Sequence, residues 1–242
     1  MEREVTNPTL YTLGDSHSLW NFAGIKDAKI FWRGPVTMHR AARDGISSLV
    51  PKNCRPVKGD ILILSFGDID CRAHIAKQAH QQGTSTATQV DLLTARIGHE
   101  ISRFEKKCEA TLAFCCILPP NHIDLPCEFY GSKDECLEDA KLIRDRMNNN
   151  LKHILPLIDF RSHFTDQDGL LDVHRSDKSV HIDSREAAPI AKALNSFFGT
   201  TYTTVSPPWP NPSPAAQPAY ISPLKKMRRD VKAKIFQILR AI

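Results

Sequence analysis

The chain has 242 residues, 41% hydrophobic and 24% charged, the composition of a soluble globular protein long enough for one large core. No stretch approaches the roughly 18 apolar residues of a transmembrane helix, and the charged start Met1-Glu2-Arg3-Glu4 lacks the apolar centre of a signal peptide. The formal net charge of +5 is unevenly placed: residues 223–242 carry +6 and leave the rest at −1, so the basic character belongs to the tail.

Residues 10–13 form a short apolar strand that runs into Gly14-Asp15-Ser16-His17 and a helical segment. A serine on a strand-to-helix turn stands clear of the sheet edge beside a helix N-terminus, where hydrolases place a nucleophile. The same three residue types also make ordinary turns. Residues 28–32 are a second apolar run, stopped by Arg33-Gly34-Pro35, and residues 36–50 read as a weakly patterned helix. Residues 60–66 (DILILSF) have the unbroken apolar content of a strand buried on both faces, and end in Gly67-Asp68-Ile69-Asp70-Cys71-Arg72. A helix near 87–107 places Val90, Leu93, Ile97, Ile101 and Phe104 on one face. Residues 110–118 are another apolar strand, closed by Pro119-Pro120. Ser132 and Glu135 form a capping box for a helix whose buried stripe includes Leu137, Ala140, Ile143, Met147 and Leu151. A strand near 155–160, a polar loop and a final helix to about Phe198, with Pro189 in its first turn, complete the body.

Apolar strands alternating with helices predict a three-layer α/β/α sandwich with a mostly parallel, five-stranded sheet over residues 1–203. In such sheets ligands sit at the carboxyl ends of the strands, where Ser16, Gly34, the 67–72 segment and Pro119-Pro120 all fall. Residues 204–222 read as a proline-rich linker. Residues 223–242 read as a basic amphipathic helix, fit for a protein partner or an anionic membrane surface and less suited to nucleic acid. Seven cysteines without zinc-knuckle or CxxC spacing suggest a reducing, cytoplasmic setting, with membrane association through the tail as a further expectation. No cofactor is expected. Asp68 and Asp70 look like a metal pair but lack a nearby third ligand, so no metal is expected either.

A serine nucleophile needs a base, a group to orient that base, and oxyanion donors. Of ten histidines, His181 is best placed, in the loop before the last helix with Asp177 four residues earlier. His174 with Asp172 is a rival pair in the same loop.

Gly14-Asp15-Ser16-His17, Gly34 after the second strand, Gly67 to Asp70 after the third, and an Asp…His pair before the last helix occur in that order. This arrangement resembles the SGNH (GDSL-type) hydrolase superfamily, esterases and acyl hydrolases with a flavodoxin-like fold, over about residues 9–199. The resemblance implies Ser16 as nucleophile and oxyanion N–H donor, Gly34 as second donor, His181 as general base and Asp177 as its partner. It implies that Asp15 shapes the nucleophile turn and that Gly67 opens the third block. Substrates would be acyl or acetyl esters of carbohydrate or lipid. A non-catalytic glycan- or protein-binding module and an O-acyltransferase are the alternatives.

Two departures from the family pattern stand out. The third block is usually Gly-x-Asn-Asp, but this chain has Gly67-Asp68-Ile69-Asp70, and Ile69 cannot donate a hydrogen bond to an oxyanion. Arg72 and His74 are candidate replacements, although Arg72 could equally pair with Asp68 or Asp70. The family also commonly has Asp three residues before His, whereas Asp177 is four before His181.

Overall fold

The computed structural model describes residues 7–123 and 125–206. The basic helix expected over 223–242, and the expected linker from residue 207 onward, lie outside the described residues.

The chain runs β1 (Leu10–Gly14), α1 (Ser16–Trp20), β2 (Lys29–Trp32), α2 (Met38–Asp44), α3 (Ile46–Leu49) and β3 (Ile61–Ser65). It continues through α4 (Asp68–Ala73), α5 (Ile75–Gln82), α6 (Thr86–Glu105), β4 (Thr111–Cys115), α7 (Lys133–Leu151), β5 (Leu157–Ile158) and α8 (Ala188–Phe198). The five strands form one sheet in the order β2-β1-β3-β4-β5, and every pairing is parallel. "Mostly parallel" is thereby sharpened to all parallel.

The central strands are buried on both faces, which is why their sequences carry no polar alternation. Alternate residues serve two cores. Leu13, Leu62, Leu64 and Phe114 face a layer built from α2, α3 and α5 through α7. Leu10, Ile61, Ile63 and Ala113 face α1 and α8, against Leu19, Phe22, Ile190 and Leu194. At roughly 25 cal/mol per Å² of apolar surface, these two faces supply most of what holds the sheet.

Some elements depart from the sequence pattern. The 36–50 helix is two helices, because Gly45 has φ +87° and both ends α2 and starts α3. The strand near 155–160 is only two residues long. Two short helices, α4 and α5, follow β3 where the sequence shows no periodic apolar stripe. After α8 the chain stays attached to the body: Thr204 bridges Ile25, and Val205 donates to the Gly24 carbonyl.

The strand order reverses between β1 and β3, the switch point at which doubly wound sheets open a crevice at their carboxyl ends. The turns after β1 and β3 therefore meet there. Gly14 has to be glycine: a Cβ on it would collide with the Ser65 carbonyl of β3.

Candidate active site

Ser16 sits at the first position of α1 with Asp15 as the cap, whose Oδ1 accepts the His17 N–H at 2.9 Å. The Asp15 N–H donates to the Ser65 carbonyl at 3.0 Å, and the Ser18 hydroxyl donates to the Asp15 carbonyl at 2.7 Å. The turn is thus fixed to β3 and to its own helix, and Ser16 is left half-buried at the crevice.

His181 Nε2 lies 2.8 Å from Ser16 Oγ, and its Nδ1 lies 3.0 Å from Asp177 Oδ2. Asp177 accepts the imidazole Nδ1–H, which leaves Nε2 as the lone-pair face toward the serine hydroxyl. The other Asp177 oxygen accepts from the Ser179 hydroxyl at 2.6 Å and from the Ser179 N–H at 2.9 Å. Burial pushes the Asp177 carboxyl up, but these donors and His181 outweigh it and hold the group below the usual carboxylate range.

The extra residue between Asp177 and His181 is absorbed locally. Ser176 bridges Ile182, the Asp177 N–H donates to the His181 carbonyl at 3.0 Å, and Lys178 takes up the turn at φ +66°. Asn121, after β4, donates to the Ser179 carbonyl at 2.6 Å and ties the loop to the sheet edge. The rival histidine, His174, is exposed, and its backbone N–H donates to Asp172. Asp172 and Asp183 instead pair with Arg175 and Arg185.

Asp177→Asn is expected to lower turnover of an ester by about 10²–10⁴, because Asn can present an N–H to Nδ1 and select the wrong tautomer. Steady-state rates beside a circular-dichroism spectrum would check it; an unchanged rate would mean that Asp177 does not orient the base.

Gly34 follows β2 with φ +75°, and the Arg33 N–H donates to the Gly14 carbonyl at 2.8 Å, which brings this loop beside the nucleophile turn. Gly67 turns the chain from β3 into α4 at φ +115°, and a Cβ there would press on Ile117 and Met38. Asp70 is fully buried and accepts the N–H groups of Met38 and His39 at 2.6 and 3.2 Å. It caps α2 from outside and so joins the Gly34 and Gly67 loops.

The two proposed substitutes for the oxyanion Asn are otherwise engaged. Arg72 donates through Nε to Asp68 at 2.7 Å, the structural pairing that the sequence left open. His74 lines a narrow cleft with His39, Asp70, Gln78, Gln89 and Arg96, and with none of Ser16, His181 or Asp177. Ile69 is half-buried and packs into neither core cluster. Among the described residues no group of three or more His, Cys, Asp or Glu is placed to hold a metal ion.

Two side chains, His17 and Trp20, escape sequence reasoning, and a third, Asp68, is read there only as a metal-pair look-alike or an Arg72 partner. His17 is buried directly behind the serine, its ring centroid 4.9 Å from that of His181. Trp20, one helical turn on from Ser16, stacks over His181 at 5.6 Å and 25°. Asp68 gathers Arg72 at 2.7 Å, Arg144 of α7 at 3.4 Å and His17 at 3.9 Å. Burial alone pushes the Asp68 carboxyl up, yet these three cations hold it below its ordinary value. Burial also pushes the His17 imidazole down, but Asp68, Asp15 and the Val180 carbonyl override it and raise the group to about 9. His181 is lowered, first by burial and next by the charge on His17, against the opposing pull of Asp177. One signal was available in the sequence: Arg144 sits beside Ile143 and Met147 on a buried stripe that, apart from Asn148, is apolar.

No family model matches the chain, and no curated protein matches it. Solved structures do. A proposed acylhydrolase from Bacteroides fragilis is 13% identical, over 81% of this chain and 91% of that one, with a TM-score of 0.52. A proposed platelet activating factor from Streptococcus pneumonia is 16% identical, over 81% and 86%, with a TM-score of 0.51. A GDSL-like lipase from Bacteroides thetaiotaomicron is 11% identical, over 78% and 88%, with a TM-score of 0.46. The α/β fold with its parallel five-stranded sheet is shared with the acylhydrolase. At these identities the likeness concerns the fold alone, and what Ser16 does rests on the geometry of this chain.

Proposed function

We propose that the protein is a divergent SGNH-type serine esterase, with Ser16, His181 and Asp177 as its catalytic triad. The observation that carries this reading is the unbroken chain from Ser16 Oγ through His181 to Asp177, at 2.8 and 3.0 Å. His181 Nε2 takes the hydroxyl proton as Ser16 Oγ bonds to the ester carbonyl carbon. The C–O bond to the alcohol then breaks, and the alcohol leaves with the proton from His181. Water attacks the acyl-serine, again giving a proton to His181, and the acid departs as Oγ is reprotonated. The N–H groups of Ser16 and Gly34 are the oxyanion donors in this reading, and the Trp20 face supports the transient imidazolium. By analogy with the fold relatives, the substrate is an acyl or acetyl ester on a carbohydrate or lipid; transfer to another hydroxyl would use the same residues.

Ile69 supports a second reading, a non-catalytic binding module, since it replaces the side chain that would donate to the oxyanion. Labelling of the purified protein by a fluorophosphonate decides between the two. Modification at Ser16 that vanishes in His181→Ala supports the enzyme, and an inert Ser16 overturns it. Ile69→Asn tests the missing donor: kcat on a short acyl ester is expected to rise by about tenfold or more, since one such donor is worth roughly 10²–10³ elsewhere. A rate at or below wild type would show that position 69 does not reach the oxyanion.

A further inference from the structure

His17 makes three polar contacts in its buried position. Nδ1 lies 3.3 Å from Asp15 Oδ1, while Nε2 lies 3.1 Å from the Val180 carbonyl oxygen and 3.9 Å from Asp68 Oδ2. A carbonyl oxygen only accepts, so Nε2 carries a hydrogen. Asp15 Oδ1 accepts the His17 backbone N–H, and a carboxylate oxygen has no hydrogen to offer a ring nitrogen, so Nδ1 is the donor in that contact as well. Both ring nitrogens therefore carry hydrogen, and an imidazole with two N–H groups is an imidazolium. Val180 immediately precedes His181, so the same ring grips the backbone that carries the base.

We infer that His17 is a positioning residue for His181: a buried imidazolium, clamped by Asp15 and Asp68, that anchors the histidine loop through Val180 and keeps the neighbouring imidazole in its neutral, proton-accepting form. The charges around it decide the sign. His17 is faced by Asp15 from its own turn, by Asp68 from α4, by Cys115 from β4 and by His181. Asp68 is shared with Arg72 and Arg144, so two carboxylates meet three cations and the cluster behind the site is net positive. His181 itself faces Asp177 and, farther off, Asp68. Adding a proton to His181, which is half-buried, then places a second cation 4.9 Å, centroid to centroid, from the buried first one. Its ordinary range lies near 6.5. The cation behind it extends the neutral form to lower pH, and the lowered value for His181 agrees with that placement.

The catalytic consequence rests on the esterase reading, but the charge states do not, and they can be measured without turnover. The full chain labelled with ¹⁵N-histidine would be titrated by NMR, with the two rings assigned by substitution. In wild type, His17 is expected to keep imidazolium shifts on both nitrogens through pH 8, and His181 to titrate below its ordinary range. In His17→Gln, which can still donate to Val180, the His181 midpoint is expected to rise by about one pH unit. The acid limb of fluorophosphonate labelling at Ser16 should rise with it. A neutral His17 at pH 7 in wild type overturns the inference with no variant needed, and so does an unmoved His181 midpoint in folded His17→Gln. If that variant does not fold, the wild-type pair decides: His181 titrating at or above its ordinary range overturns the inference. An inert Ser16 with both midpoints as stated would remove the esterase reading and leave this one standing.

Discussion

Ser16→Ala is expected to abolish fluorophosphonate labelling and to lower ester turnover by about 10⁴-fold or more, with no loss of fold. The hydroxyl is the atom that bonds to the substrate, and no neighbour replaces it: Ser18, two residues on, spends its hydroxyl on the Asp15 carbonyl. Ser16 is half-buried, and its Oγ bonds only to His181 Nε2 among the described residues. Removing it therefore costs little stability, unlike truncation in either core. His181→Ala should match it in effect, and the double variant should lose little more, since members of one relay act as a unit. Equal rates for wild type and both single variants would sink the catalytic reading of the site.

Asp68→Asn is expected to destabilise the fold by about 3–5 kcal/mol, the usual cost of stripping one partner from a buried ion pair. For a domain of this size that lowers Tm by roughly 10 °C. Arg144 is 3% exposed, and among the described residues its Nε has no hydrogen-bond partner, so Asp68→Asn leaves a buried guanidinium facing only a neutral amide and the Ala140 carbonyl. His17 loses its second carboxylate at the same time. The pH dependence follows from the signs of two shifts. The Asp68 carboxyl is depressed, so its contribution is present above the ordinary carboxylate range and is lost as pH falls through the lowered folded value. The His17 imidazole is raised to about 9, so its contribution is full below about 6.5 and is lost as pH rises through about 9. Wild type should thus lose stability above pH 9, and the gap in Tm to Asp68→Asn should narrow there. Thermal melts at pH 7 and 10 would check both; a gap unchanged with pH would remove His17 from the linkage.

The helices and strands that could be read from sequence are those whose burial writes a periodic pattern. Val90, Leu93, Ile97, Ile101 and Phe104 recur at helical spacing because one face of α6 meets the sheet. Leu62 and Ile63 adjoin without alternation because each faces a different core. Helices α4 and α5 were not legible, since six and eight residues cannot display a stripe and their stop signal is a local Gly or His cap. The Asp68–Arg144 pair spans 76 residues and has no local signal beyond a charge on an apolar helix face.

Sequence alone settled the alternation of buried strands with helices, and with it the single edge on which Ser16, Gly34, Gly67 and the histidine loop had to lie. Such order is local, because strand ends and turns are written in a few neighbouring residues. Only the tertiary structure put His181 beside Ser16 and left His174 exposed, showed Lys178 absorbing the extra loop residue, and gathered Asp15, Asp68 and the Val180 carbonyl around His17. Those outcomes depend on contacts through space: the bond between Ser16 and His181 joins residues 165 apart, and a buried charge is determined by what the fold brings within a few ångströms of it.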